Sequence, residues 1–234
     1  MDMNHFVSGA TGFVGSALVL ELLMRTDDHL VAIVRPSGNR TAAERLRGTL
    51  IELIDDYELP EGLFAAVVDR VTVVEGDLER PLCGVDLEAS NIRPGSDVEF
   101  WHCAASLQYQ DRHRDAIHRT NVIGTGHALD LAEAIGTRVF NMVSTAYVAG
   151  SRCGRVRPVP GDLNLANNRY ERSKILAEQQ VTLRPMPSRI LRPGVVIGHP
   201  ITRHSISSDG MYGFLRGLRK FRAVLDRTQP GLAD

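Results

Sequence analysis

Tyr170-Glu171-Arg172-Ser173-Lys174 sets a phenol and an ammonium four residues apart, on one face of the segment if it is helical. A phenol with its ordinary pKa near ~10 exchanges protons poorly at neutral pH. A cation held beside it stabilises the phenolate and pulls that pKa down, which suits the group to proton transfer. The same ammonium can bond the hydroxyls of a ribose. Lysine is rare in this chain: of 27 Lys and Arg residues only Lys174 and Lys220 are lysine. Upstream, Met142-Val143-Ser144-Thr145-Ala146-Tyr147 ends an apolar run in two hydroxyls. Thr145, or Ser144 beside it, can hold a carbonyl oxygen while Tyr170 protonates it.

A second constellation lies at the amino-terminal end. His5-Phe6-Val7 runs into Ser8-Gly9-Ala10-Thr11-Gly12-Phe13-Val14-Gly15, and Phe13 to Arg25 then reads as a helix. Glycines at 9, 12 and 15 serve a sharp strand-to-helix turn, the close approach of a phosphate and tight helix–strand packing. The helix N-terminus offers free N–H groups to a pyrophosphate. Thr11, Phe13 and Val14 fall inside the same turn and are expected to line the same ligand. Arg35 closes the second strand where a carboxylate would select NAD by bonding its ribose. A guanidinium there, with Ser37 and Arg40 close by, matches a 2′-phosphate, so NADP is the expected cofactor. Asp77 and Leu78, after the third strand, are placed to meet the adenine end.

These groups need elements to position them. Leu30 to Val34, Val71 to Val74, Asp97 to Cys103, Arg138 to Val143 and Arg189 to Leu191 read as strands. Thr41 to Asp55, with Thr41 and Glu44 as a capping box, Asp115 to Ala134 and Tyr170 to Leu183 read as helices. The alternation predicts an α/β fold: a Rossmann-type doubly wound parallel sheet with helices on both faces. Gly150 to Asn168 carries no period and reads as a loop. Beyond it, Met211, Phe214, Leu215, Leu218, Phe221 and Leu225 form an apolar stripe at helical spacing.

Composition sets outer limits. Hydrophobic residues are 43% and charged residues 24%, which is globular. A net charge of −1 removes the electrostatic case for nucleic acid. No apolar run near the start is long enough to span a membrane, and the first residues lack a signal peptide's pattern. Cys83, Cys103 and Cys153 form no CxxC and read as reduced thiols of a cytoplasmic protein. The histidines and cysteines match no usual zinc spacing, so no metal is expected.

At several separate places the chain resembles an extended short-chain dehydrogenase/reductase. The places are the glycine turn, Gly76-Asp77-Leu78, His102-Cys103-Ala104-Ala105, Thr120-Asn121-Val122-Ile123-Gly124-Thr125, Tyr170 with Lys174, and Arg192-Pro193-Gly194. Within that family, Val34-Arg35-Pro36 and Ser144-Thr145-Ala146-Tyr147-Val148 look most like the branch of thioester reductases and fatty acyl-CoA reductases, with the male-sterility type of NAD(P)-binding domain. The resemblance implies that Thr145, Tyr170 and Lys174 are catalytic. It implies that Ala104 and Ala105 line the cofactor and that Asn121 supports the site. It also implies a substrate: an acyl thioester on coenzyme A or an acyl carrier protein, reduced to aldehyde or alcohol.

Members of that branch continue well past the Arg-Pro strand, whereas 40 residues follow Gly194 here. The expected organisation is an NAD(P)-binding domain over 1–200 and a C-terminal segment over 201–234 that begins a reduced or truncated substrate region. Two other readings stay open at this stage: the same machinery acting on a ketone, hydroxysteroid or nucleotide sugar, and a non-catalytic NADP-binding protein. Homo-oligomers are left open as well.

Overall fold

The computed structural model describes residues 4–90, 97–202 and 217–222. Six parallel strands form one sheet in the order β3-β2-β1-β4-β5-β6. They are β1 (Asn4–Ser8), β2 (His29–Val34), β3 (Val71–Glu75), β4 (Val98–His102), β5 (Val139–Val143) and β6 (Ser188–Leu191). The order reverses between β1 and β4, which opens a crevice at the carboxyl ends of those two strands, where ligands of such sheets bind.

Helices α1 (Phe13–Arg25) and α2 (Ala42–Asp56) join the first three strands, followed by the short α3 (Leu63–Val67). The apolar stripe of α1 buries Val19, Leu20 and Leu23, and that of α2 buries Leu46, Leu50 and Leu53. Thr41 caps α2 as expected: its hydroxyl accepts from the Glu44 N–H, and Glu44 accepts from the Thr41 N–H at 2.8 Å. These bonds hold the Glu44 carboxyl below its ordinary range.

Beyond β4, α4 (Arg114–His118) and α5 (Gly124–Ala134) are separated by a π-helical turn, Arg119–Ile123. The single helix expected over 115–134 is therefore interrupted by a bulge, and the bulge carries Asn121. The last long helix is α6 (Arg169–Leu183), capped by Asn168, whose side chain accepts from Glu171 N–H. The core under α5 and α6 centres on Phe6, Phe100 and Phe140 from three adjacent strands, with ring centroids 6.4 and 5.2 Å apart.

The segment 150–168 is without helix or strand, as its composition suggested. Of the apolar stripe from Met211 to Leu225, only 217–222 lies within the described residues; it is helical, with Leu218 and Phe221 exposed. The boundary expected at residue 200 falls close to the edge of what is described.

Candidate active site

Gly9 sits at φ +76°, a conformation that L side chains rarely adopt. A Cβ there would also lie 2.6 Å from the Ala104 nitrogen, so β1 and the end of β4 touch backbone to backbone. Gly15 packs directly on the Gly9 carbonyl, which leaves no room for a Cβ. Gly12 caps α1 without any side-chain bond to the first turn. The N–H groups of Phe13, Val14 and Gly15 therefore keep no side-chain cap, as a pyrophosphate site requires.

At the end of β2, Arg35 reaches towards Asp77, with guanidinium and carboxylate 3.8 Å apart. Asp77 is otherwise occupied in its own turn: its carboxylate accepts from Glu79 N–H at 3.0 Å, and its N–H donates to Cys83 carbonyl at 2.6 Å. The sequence reading missed Arg45. From the first turn of α2 its guanidinium donates to the Arg35 carbonyl and lies 3.4 Å from the Thr11 hydroxyl. Two guanidiniums and a threonine hydroxyl thus frame one rim of the crevice. A signal was present: a cation in a helix's first turn opposes the helix dipole and needs another reason to be there.

The catalytic candidates meet at the carboxyl end of β5. The Tyr170 phenol lies close enough to the Thr145 hydroxyl to be influenced by it. Thr145 is buried and its hydroxyl accepts from Tyr147 N–H at 3.2 Å. Ser144, the alternative beside it, is turned away and donates to Glu178 at 2.5 Å. Lys174 is buried, and its ammonium donates to the Val143 carbonyl at 2.9 Å. Burial pulls its pKa down to about 8, while Glu178 and Cys103 favour the charged form. The Tyr170 phenol is raised rather than lowered: burial dominates, and the Thr145 hydroxyl only partly offsets it. Cys103 lies near Lys174, yet burial pushes its thiol up to about 12, so it is no thiolate at neutral pH.

Behind these groups runs a buried polar chain. His102 bonds Ser8 at 2.8 Å and Thr125 at 3.0 Å. The Thr125 hydroxyl donates to the Asn121 carbonyl at 2.7 Å, so it must accept from His102 Nε2–H, and Nδ1 accepts from Ser8. Burial holds this imidazole neutral, with its pKa down at about 3. The Asn121 amide then accepts from Ser106 N–H at 2.6 Å and donates to the Ser173 hydroxyl at 2.9 Å. Ser173 donates to the Tyr170 carbonyl at 2.7 Å. Asn121 therefore ties the segment after Ala104 and Ala105 to the helix that carries Tyr170. A second network joins Ser144, Glu178 and Arg192, whose guanidinium holds both Glu178 oxygens at 2.9 and 2.6 Å and the Val159 carbonyl at 3.0 Å.

Sheet order, glycine turn and crevice together define a dinucleotide-binding Rossmann domain of the dehydrogenase/reductase kind. The NAD-binding family described as Male sterility protein matches residues 7–229, and the chain belongs to that family. It is 30% identical over 221 residues to a linear gramicidin synthase of Brevibacillus parabrevis, covering 91% of this chain and 4% of the synthase. It is 32% identical to fatty acyl-CoA reductase 1 of Gallus gallus over 158 residues, covering 64% of this chain and 29% of that enzyme. Among solved structures, the terminal R domain of the myxalamid PKS-NRPS pathway superposes with a TM-score of 0.77 at 28% identity, over 94% of this chain and 55% of that one. The chain thus spans a minor part of these curated relatives and about half of the R domain. Among the described residues no helix is long and apolar enough to cross a membrane, and no group of three or more His, Cys, Asp or Glu side chains is gathered as metal ligands.

Proposed function

We propose that the chain is the NADP-dependent reductase domain of an enzyme that reduces acyl thioesters carried on coenzyme A or a carrier protein. The observation that carries this reading is the meeting of Thr145, Tyr170 and buried Lys174 at the end of β5, beside an uncapped glycine turn. The family and its relatives, a gramicidin synthase and a fatty acyl-CoA reductase, favour a thioester over other carbonyls.

NADPH, when bound, supplies the hydride. Gly9, Thr11, Gly12 and the first N–H groups of α1 hold its pyrophosphate. Arg35 and Arg45 take the 2′-phosphate, Asp77 and Leu78 the adenine end, and Ala104 and Ala105 back the cofactor on the β4 side. At the reacting carbonyl, Thr145 and Tyr170 donate hydrogen bonds to the oxygen as negative charge grows there. Tyr170 passes its proton to that oxygen, and its raised pKa keeps the phenol protonated and ready to give. Lys174 stabilises the phenolate left behind. The hemithioacetal then breaks its C–S bond, releasing a thiol and an aldehyde, which a second round converts to an alcohol.

The same reading puts the protein in the cytoplasm, where three free cysteines stay reduced. It treats 1–200 as the cofactor domain and 201–234 as the start of the substrate side. The test is NADPH oxidation with a panel of acyl thioesters, aldehydes and ketones, with products identified. Turnover of thioesters with aldehyde or alcohol as product is expected. Turnover of ketones or nucleotide sugars alone would overturn the substrate class, and binding without turnover on any carbonyl would overturn catalysis.

A further inference from the structure

Two consecutive residues of the β5 end are held by two same-face residues of α6. Lys174 and Glu178 lie one turn apart on that helix, and both are buried. The Lys174 ammonium donates to the Val143 carbonyl at 2.9 Å, and the Glu178 carboxylate accepts from the next residue, Ser144, at 2.5 Å. Thr145 follows directly. The chain here is fixed from β6 as well: Ser144 N–H donates to the Leu191 carbonyl at 2.7 Å, and Ala146 N–H to the Pro193 carbonyl at 2.8 Å. Arg192, between those two acceptors, donates to both oxygens of Glu178 at 2.9 and 2.6 Å. Glu178 thus joins α6 to the ends of β5 and β6, directly beside the residues that meet the substrate. All three contacts are donated to it, and an ionised carboxylate, which only accepts, fits them.

A buried ammonium needs such a neighbour. Burial pulls the Lys174 pKa down to about 8, so at neutral pH its charge has little in reserve. From β4 the His102 imidazole and the Cys103 thiol face it, both uncharged at neutral pH, and from β5 the Val143 carbonyl. On α6 the Tyr170 phenol stands one turn before it and Glu178 one turn after it. Of these groups Glu178 alone is negative before the reaction starts, and it favours the charged form of Lys174. The nearby cation, Arg192, is bonded to Glu178 and to the Val159 carbonyl. Lys174 can stabilise a Tyr170 phenolate only while it is charged. We propose that Glu178 is a positioning residue for the reaction: held by Arg192, it is the countercharge of the Lys174 ammonium and pins the strand end that carries Thr145. This rests on the catalytic reading of Lys174 above.

Only two lysines occur in the chain, so Lys174 can be read directly. With lysine labelled in carbon-13, NMR gives one signal for exposed Lys220, which serves as reference, and one for Lys174, expected to titrate at about 8. Lys174→Met assigns the pair. Glu178→Gln keeps the shape and removes the charge, and should move the Lys174 titration down by roughly one pH unit. In turnover of an acyl thioester with NADPH, the alkaline limb of kcat should move down with it while KM for the thioester changes little. Glu178→Asp, which keeps the charge, should return the limb towards wild type. An unmoved Lys174 titration in Glu178→Gln, or a limb that does not follow it, overturns the inference. If Glu178→Gln does not fold, E178Q/R192Q removes both charges of the buried pair and is read by the same two measurements. If no thioester turns over, the catalytic reading fails by itself, and the NMR titration alone decides the countercharge: a downward shift supports it, and an unmoved signal sinks it.

Discussion

β2 is buried at five of its six residues, whereas no residue of β6 is fully buried. The contrast extends to the halves of the sheet they belong to. Around β2 and β1 the interior is almost wholly apolar, with Val7, Leu30, Ala32 and Val34 packed under α1 and α2. Its chemistry sits in one local turn and on the Arg35 rim. Around β4, β5 and β6 the interior is threaded by polar networks, and the catalytic candidates hang from them. The cofactor half is thus a rigid apolar frame with ligand groups at its edge. The catalytic half depends on buried hydrogen bonds whose loss is felt directly at Tyr170.

Substitutions in the two halves should therefore separate binding from chemistry. Tyr170→Phe is expected to lower turnover by about 10²–10⁴-fold while NADPH affinity stays within a few-fold, as steady-state kinetics and a fluorescence titration would read. Next in size, Arg192→Leu takes the guanidinium away from buried Glu178 and leaves its carboxylate only the Ser144 hydroxyl and the nearby Lys174 charge. Removing one partner of a buried ion pair costs about 3–5 kcal/mol, so a fall of roughly 6 °C or more in the melting temperature is expected.

Lys174→Met should move stability the other way. The unfolded ammonium keeps its proton to 10.5, the folded one only to about 8, so burying the charge at neutral pH costs roughly 3 kcal/mol. The variant should melt higher at pH 7, less what the lost bond to Val143 takes back, while rate and cofactor binding both suffer. Wild-type stability should gain from this group as pH rises from 8 towards 10.5.

In the cofactor half, Arg35→Ala should weaken NADPH roughly 10-fold or more and leave NADH little changed, with Arg45→Ala acting in the same direction. Titrating both cofactors at low and high salt tests this; an unchanged preference would leave both arginines as surface residues. The last effect concerns acid. Unfolded His102 takes a proton near 6.5 but the folded imidazole not until about 3, so acid favours unfolding across that window. About 2 kcal/mol should be lost through this group between pH 7.5 and pH 5. A His102→Gln variant should show a shallower acid limb in denaturant titrations.

The same contrast explains what could be read from the residues alone. The glycine turn, the capping box and the alternation of strands with helices are local patterns, and all are present in the structure. Tyr170 and Lys174 were legible because four residues on a helix fix a shared face. The π turn at Arg119–Ile123 was not legible, because a run of weaker helix formers (Thr120 to Ile123) does not say that an extra residue is inserted in the turn. Nor was the bond between Ser8 and His102, which are 94 residues apart and meet only because β1 and β4 are neighbours. Ser144 and Thr145 could not be told apart from sequence, since what separates them is Glu178, one turn beyond Lys174 on a different element.

The burial of Lys174 has a practical corollary in proteolysis. A protease that cuts only after lysine has two sites in this chain, Lys220 in an exposed helical turn and Lys174 sealed between α6 and β5. Cutting after Lys220 leaves the sheet intact. Cutting after Lys174 demands that α6 lift from β5 first, so its rate counts how often the catalytic half opens. One gel lane thus carries a gauge of local unfolding at the proposed active site, and a bound cofactor should slow that cut alone.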